Sequence, residues 1–221
     1  MKLYVISGLG ADFKVLERLR FPDNVEVEFL PWLEPKVTEP FADYVERMAE
    51  RIDFTSDYML LGYSFGGIIV QEIHKRHKAK KVVILGSIRS GKEKPTIMRV
   101  AAVSGIPKFL PVKWFDPQQS KIYNYIRSYF DATGGVENFF TIRNPYYLKW
   151  SLEKIASWNG SEQPEVIQIM GEKDRIFPLK YSRPDYVIKG GTHLFPATRS
   201  REVSQILEKV LSDKTLEGRG K

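Results

Sequence analysis

The amino-acid sequence predicts an α/β protein: a mostly parallel sheet of about six strands, helices flanking it, and a helical insertion between two of the strands. Three observations carry this reading. Six short apolar runs rich in Val, Ile, Tyr and Leu recur along the 221 residues. Segments with apolar residues at helical spacing separate several of them. The alternation then breaks between about residues 89 and 160, where helical spacing continues without any strand-like run.

The runs are KLYVIS (2–7), VEVEFL (25–30), YMLLG (58–62), KVVILG (81–86), EVIQIMG (165–171) and DYVIKG (185–190). Runs of this length fit strands buried on both faces. Phe41, Tyr44, Val45, Met48 and Ile52 follow the i, i+3, i+4, i+7, i+11 pattern of one helix face. Val203, Ile206, Leu207, Val210 and Leu211 repeat it near the C-terminus. Strands alternating with helices argue for parallel pairing with helices on both faces. In the interrupted region, Ile122, Tyr125, Ile126 and Tyr129 keep helical spacing, as do Leu148, Leu152 and Ile155. Asn144-Pro145 reads as an N-cap followed by Pro at the first helical position. Pro107, Pro111 and Pro117 punctuate the early part. The expected organisation is a core of residues 1–88 and 161–221, with residues 89–160 forming a helical lid or cap. The polar residues 214–221 are expected to fray.

Composition narrows the function classes. Without cysteine there is no disulfide, thiolate metal site or cysteine nucleophile. The apolar run at the N-terminus covers only residues 3–6, too short for a secretory segment, and no stretch is long enough to span a membrane. A cytoplasmic protein is expected. The formal charge is +7, and its densest patch is HKRHKAKK, residues 74–81. That patch falls at a helix end, where basic residues meet the dipole favourably. It is read chiefly as solvated surface, with docking of an acidic partner as the alternative. No aromatic-interleaved basic motif suggests nucleic acid.

The residues with chemical meaning begin at Gly62-Tyr63-Ser64-Phe65-Gly66, which has the form G-x-S-x-G between an expected strand and an expected helix. A strand turning sharply into a helix leaves its central residue strained, and glycines two before and two after remove the collisions. The Ser64 hydroxyl would then stand at the carboxyl end of the strand, and the Phe65 N–H would be free to meet a developing oxyanion. The bland alternative is a Gly-rich turn whose Ser only caps the helix.

A nucleophilic serine needs a base, and the base an orienting acid. Of the three histidines, His74 and His77 lie two to three helical turns beyond Ser64 and read as solvated surface residues. His193, in KGGTHLFP, follows the last expected strand and falls on the same sheet edge as Ser64. Asp174, in MGEKDRIFP, also follows a strand and lies between Ser64 and His193 in sequence, as the acid should. Glu172 is its one serious rival. Asp116 and Asp131 fall in the insertion, and Asp185 falls at a strand start. A second oxyanion donor is expected in Ser7-Gly8-Leu9-Gly10, after the first strand, with the Leu9 N–H as the candidate.

Taken together, these motifs resemble the α/β-hydrolase superfamily. Gly62 to Gly67 resembles its nucleophile elbow. Gly171-Glu172-Lys173-Asp174 with Pro178 resembles its acid loop, Gly190-Gly191-Thr192-His193 its histidine loop, and Ser7-Gly8-Leu9-Gly10 its oxyanion loop. Ser7 stands where many members have His. The frequent D-x-x-G-x-G loop after the second strand is absent, and LPWLEPKVTEPF (30–41) takes its place.

The expected activity is a serine hydrolase acting on a carboxylic ester or thioester through an acyl-enzyme, with no cofactor or metal. The insertion carries Phe109, Trp114, Phe115, Tyr123, Tyr125, Tyr129, Phe130, Phe139, Phe140, Tyr146, Tyr147, Trp150 and Trp158. Singly, each reads best as part of the insertion's own core. Collectively they suggest an apolar roof over a small-molecule acyl substrate. The alternatives are hydrolysis of acyl-carrier or coenzyme A esters and thioesters with an acidic carrier docked on the basic surface, C–C bond hydrolysis by the same triad, and a non-catalytic ligand receptor.

Overall fold

A computed structural model of the chain describes residues 1–116, 139, 141 and 143–212. The helical spacing expected at Ile122, Tyr125, Ile126 and Tyr129, the aromatics Tyr123, Phe130 and Phe140, Asp131 and the expected frayed end lie outside the described residues.

All six apolar runs form strands: β1 (Lys2–Ile6), β2 (Glu26–Phe29), β3 (Tyr58–Tyr63), β4 (Lys81–Leu85), β5 (Val166–Gly171) and β6 (Tyr186–Ile188). They make one sheet in the order β2-β1-β3-β4-β5-β6, and every pair is parallel. The period of two along each strand sorts its residues into two cores. Tyr4, Ile6, Leu60, Val82, Ile84, Val166 and Met170 face one side. Leu3, Val5, Met59, Leu61, Val83, Leu85 and Ile169 face the other.

Helices cover both faces. On the first side lie α1 (Phe41–Ala49) and α2 (Phe65–Arg76). α1 buries Tyr44, Val45 and Met48, while Ile52 is buried just past its end. Between β4 and β5 the described residues contain no strand. They hold α3 (Thr96–Ser104), which buries none of its residues, and α4 (Pro145–Ser157). Asn144 caps α4, its side chain accepting from the Tyr146 and Tyr147 N–H groups, and Pro145 opens the helix. The aromatics of α4 do not form a separate core. Tyr147, Trp150 and Trp158 share the cluster of the sheet, and the Trp150 ring lies 4.5 Å from that of Tyr44 on α1. On the opposite side α5 (Ser200–Ser212) buries Val203, Leu207, Val210 and Leu211. Each such side chain contributes about 1.5–3 kcal/mol by leaving water. The Lys81 ammonium at the start of β4 donates to the Val210 carbonyl, 2.9 Å away. The last turn of α5 therefore lies at the amino edge of the sheet, and its first turn lies towards the carboxyl edge.

One expectation is corrected. His74 is not solvated: it is 1% exposed, while His77 is partly exposed and stacks on Phe54. The chain turns back at the end of α2, and the Ala79 N–H donates to His74 Nδ1 at 3.1 Å. Burial, then the Lys78 charge, pushes the imidazole pKa down to about 4. The unfolded chain, with its histidine near 6.5, therefore binds a proton that the folded chain refuses. The stability contributed by neutral His74 is full above pH 6.5 and is lost as pH falls towards 4, by up to about 3 kcal/mol. His74→Gln is expected to lose less stability than the parent chain between pH 7 and 4.5. Urea unfolding at the two pH values checks this, and equal losses would reject the assignment.

Candidate active site

The turn from β3 into α2 leaves no space. Ser64 has φ +53° and ψ −117°, a conformation that side chains rarely adopt and that costs about 1–3 kcal/mol. A Cβ on Gly62 would lie 2.3 Å from the Gly66 carbonyl oxygen. One on Gly66 would lie 2.3 Å from the Ile6 carbonyl oxygen, in the neighbouring strand. The glycines are thus demanded by backbone passing backbone, the steric need read from the sequence. The Ser64 N–H donates to the Leu85 carbonyl at 2.9 Å, which ties the turn to β4.

Three side chains far apart in sequence meet at this turn. His193 Nε2 lies 2.9 Å from Ser64 Oγ, and His193 Nδ1 lies 2.7 Å from Asp174 Oδ2. All three are withdrawn from solvent, at 4%, 1% and 4% exposure for Ser64, His193 and Asp174. The second carboxylate oxygen of Asp174 accepts from the Ile176 and Phe177 N–H groups at 2.8 and 2.9 Å. These bonds fix its orientation. With Nδ1–H donated to Asp174, Nε2 is the acceptor facing the serine hydroxyl. The other candidate acids, Glu172 and the weaker Asp185, are occupied elsewhere. Glu172 accepts from the Gly190 N–H at 2.7 Å and holds the turn after β6. Asp185 pairs with Arg89 and accepts from the Gln168 N–H.

The two expected backbone donors flank the serine. Phe65 opens α2, so its N–H has no carbonyl one turn back in the helix. Leu9 lies in the loop after β1, and among the described residues no acceptor takes its N–H. That loop passes close to the elbow: a Cβ on Gly8 would lie 3.2 Å from Ser64 Cβ.

Sequence reasoning missed Tyr63. Its hydroxyl donates to the His193 carbonyl at 3.0 Å, and its ring lies 5.3 Å from the imidazole. Burial, then the Asp174 charge, raises its phenol well above the ordinary range, so it stays a neutral donor. As a variable position of the five-residue motif, it carried no signal.

No protein-family model and no curated protein matches the chain. Solved structures do resemble it. A lipase-esterase related protein from Clostridium acetobutylicum superposes with a TM-score of 0.66 at 17% identity, over 95% of this chain and 93% of that one. A thermophilic esterase from Thermogutta terrifontis gives 0.60 at 15%, over 96% and 89%. RedJ, a thioesterase from the prodiginine biosynthetic pathway in Streptomyces coelicolor, gives 0.58 at 16%, over 93% and 89%. With its six-stranded parallel sheet, the chain has the α/β-hydrolase fold.

The crowding at the elbow is directly testable. Gly66→Ala is expected to destabilise the protein by roughly 1–3 kcal/mol, because its neighbours are backbone atoms that cannot turn aside. Chemical denaturation measures the loss, and an unchanged midpoint would contradict the close approach of β1.

Proposed function

We propose that this α/β-hydrolase-fold chain is a serine hydrolase that cleaves carboxylic esters or thioesters. The observation that supports it is the unbroken hydrogen-bonded line from Ser64 Oγ through His193 to Asp174, standing on a strained turn. The resemblance to structures described as esterases and a thioesterase agrees with it.

In this reading Ser64 Oγ attacks the carbonyl carbon while His193 Nε2 takes its proton. The carbonyl oxygen gains the negative charge and accepts from the Leu9 and Phe65 N–H groups. The imidazolium, stabilised by Asp174, then returns the proton to the departing alcohol or thiol, leaving an acyl-Ser64. Water repeats the sequence, with His193 as base and then acid, and releases the carboxylic acid. No step calls for a metal or cofactor. Residues 89–160 are proposed to act as a lid. Trp150 and Tyr147 of α4, near Phe65 and Trp32, would supply apolar acyl contacts.

A carrier-linked substrate is the second reading: the net charge of +7 supports an acidic carrier, and the likeness to RedJ, a thioesterase, supports the thioester bond. Activity on an acidic acyl carrier would then fall steeply with salt, while activity on a neutral ester would not.

Ser64→Ala is expected to remain folded and to lose several orders of magnitude in kcat. Asp174→Asn should lose on the order of 10⁴ by favouring the wrong imidazole tautomer, and Glu172→Gln should lose little. Turnover of p-nitrophenyl acetate measures all three. Near-parental activity of Ser64→Ala would end the serine reading, and a reversed order of the two acid variants would move the acid to Glu172.

The lid reading is tested by a p-nitrophenyl ester series of increasing chain length. Each fully buried methylene is worth ~0.8 kcal/mol, so kcat/KM should rise by up to ~4-fold per methylene towards medium chains. A flat series would leave the aromatics of the insertion with a packing role only.

A further inference from the structure

The segment LPWLEPKVTEPF follows β2, and the chemistry above gives it nothing to do. Its Trp32 nevertheless contacts the carbonyl of the Gly8–Leu9 peptide and the ring of Phe65, and the Leu9 and Phe65 N–H groups are those that would bind the oxyanion. The indole N–H donates to two acceptors at once, the Gly8 carbonyl at 3.0 Å and Ser7 Oγ at 3.1 Å. Ser7 spends its own proton on the Ala11 carbonyl at 2.6 Å, so only its lone pairs face the indole. The Ala11 N–H also donates to the Gly8 carbonyl, at 3.1 Å. Two donors from different parts of the chain thus hold one carbonyl oxygen.

The planarity of the peptide makes this consequential. The chain has no cis peptide bonds among its described residues. In a trans peptide the carbonyl of Gly8 and the N–H of Leu9 point in opposite directions. Fixing the first therefore fixes the second, on the side away from Trp32 and Ala11. The face of the same indole stacks on Phe65, with ring centroids 5.3 Å apart and planes 8° apart, and the Tyr147 ring lies 5.8 Å from it. Leu9 follows β1 and Phe65 follows β3, so their two N–H groups sit on separate elements. Trp32 donates to the carbonyl of the Gly8–Leu9 peptide and stacks on the side chain of Phe65. A site of this kind needs its donors held to about 0.5 Å.

Accepting the serine hydrolase reading on which this rests, we propose that Trp32 is a positioning residue. By holding the Gly8 carbonyl, its indole N–H aims the Leu9 N–H at the oxyanion. The role differs from packing because it depends on one N–H and not on the area of the ring.

The test separates those two. Site-specific replacement of Trp32 by 3-benzothienylalanine keeps the ring size and puts sulfur where the N–H was; Trp32→Phe keeps an aromatic ring and also lacks the donor. On p-nitrophenyl acetate both are expected to lose about ten-fold or more in kcat, with KM within about two-fold. The loss should be smaller than the 10²–10³ of deleting a donor outright, since the Leu9 N–H remains but is less well aimed. The pH profile of kcat should not move, because His193 and Asp174 are untouched. Parental kcat in the benzothienyl protein overturns the proposal, as does a rise in KM alone, and this arm decides even if Trp32→Phe fails to fold. Ser64→Ala in the same assay keeps the two ideas apart. If it is inactive while the benzothienyl protein is fully active, only the Trp32 role falls. If it is active, both fall.

Discussion

The passage of α2 behind the end of β3 is the constraint on which the rest of the site depends. The helix starts immediately after the strand, so Ser64 is held at positive φ and its hydroxyl projects from the carboxyl edge of the sheet. Gly66 lies so close to Ile6 of β1 that no side chain fits between them. The same crowding that strains Ser64 thus brings the loop after β1 against it. Strain and proximity have one cause: a helix packed against a strand with no residue to spare.

The parallel sheet extends this to the other groups. Because every strand runs the same way, the loops after β1, β3, β5 and β6 all open on one edge. That edge gathers Leu9, Ser64, Asp174 and His193, although 184 positions separate the first from the last. Orientation is then set by neighbours that have no part in the proposed chemistry. Phe177 and Ile176 N–H groups aim Asp174, Tyr63 holds the backbone of His193, and Trp32 holds that of Gly8. Each acts through a hydrogen bond to a carboxylate or a carbonyl, whose acceptor directions are fixed once the bond forms.

These supporting contacts mark where legibility stopped. The strands could be read because burial on both faces demands continuous apolar runs. The glycines of the elbow could be read because a steric prohibition leaves a compositional trace. Tyr63 and Trp32 left none, since an aromatic residue beside an apolar run looks the same whether it fills space or donates a hydrogen bond. His74 misled for a related reason. It stands in a basic stretch that reads as solvent-facing, yet the chain folds back at Ala79 and closes over it. The aromatics of α4 read as an insertion's own core, whereas Tyr147 and Trp150 pack with Tyr44, Phe41, Phe65 and Trp32 from elsewhere in the chain.

By itself the sequence determined the fold class, the order of strands and helices along the chain, and which Ser, His and Asp stand after strands. All of these follow from local rules: periodicity, apolar run length and the space that glycine leaves. Only the tertiary structure decided the strand order β2-β1-β3-β4-β5-β6, the 2.7 and 2.9 Å approaches of His193 to its two neighbours, and the burial of His74. It also decided that the indole of Trp32 faces the Gly8 carbonyl across 24 residues of chain. Those features depend on which distant segments share a surface, and one-dimensional patterning cannot specify the direction in which a single N–H points.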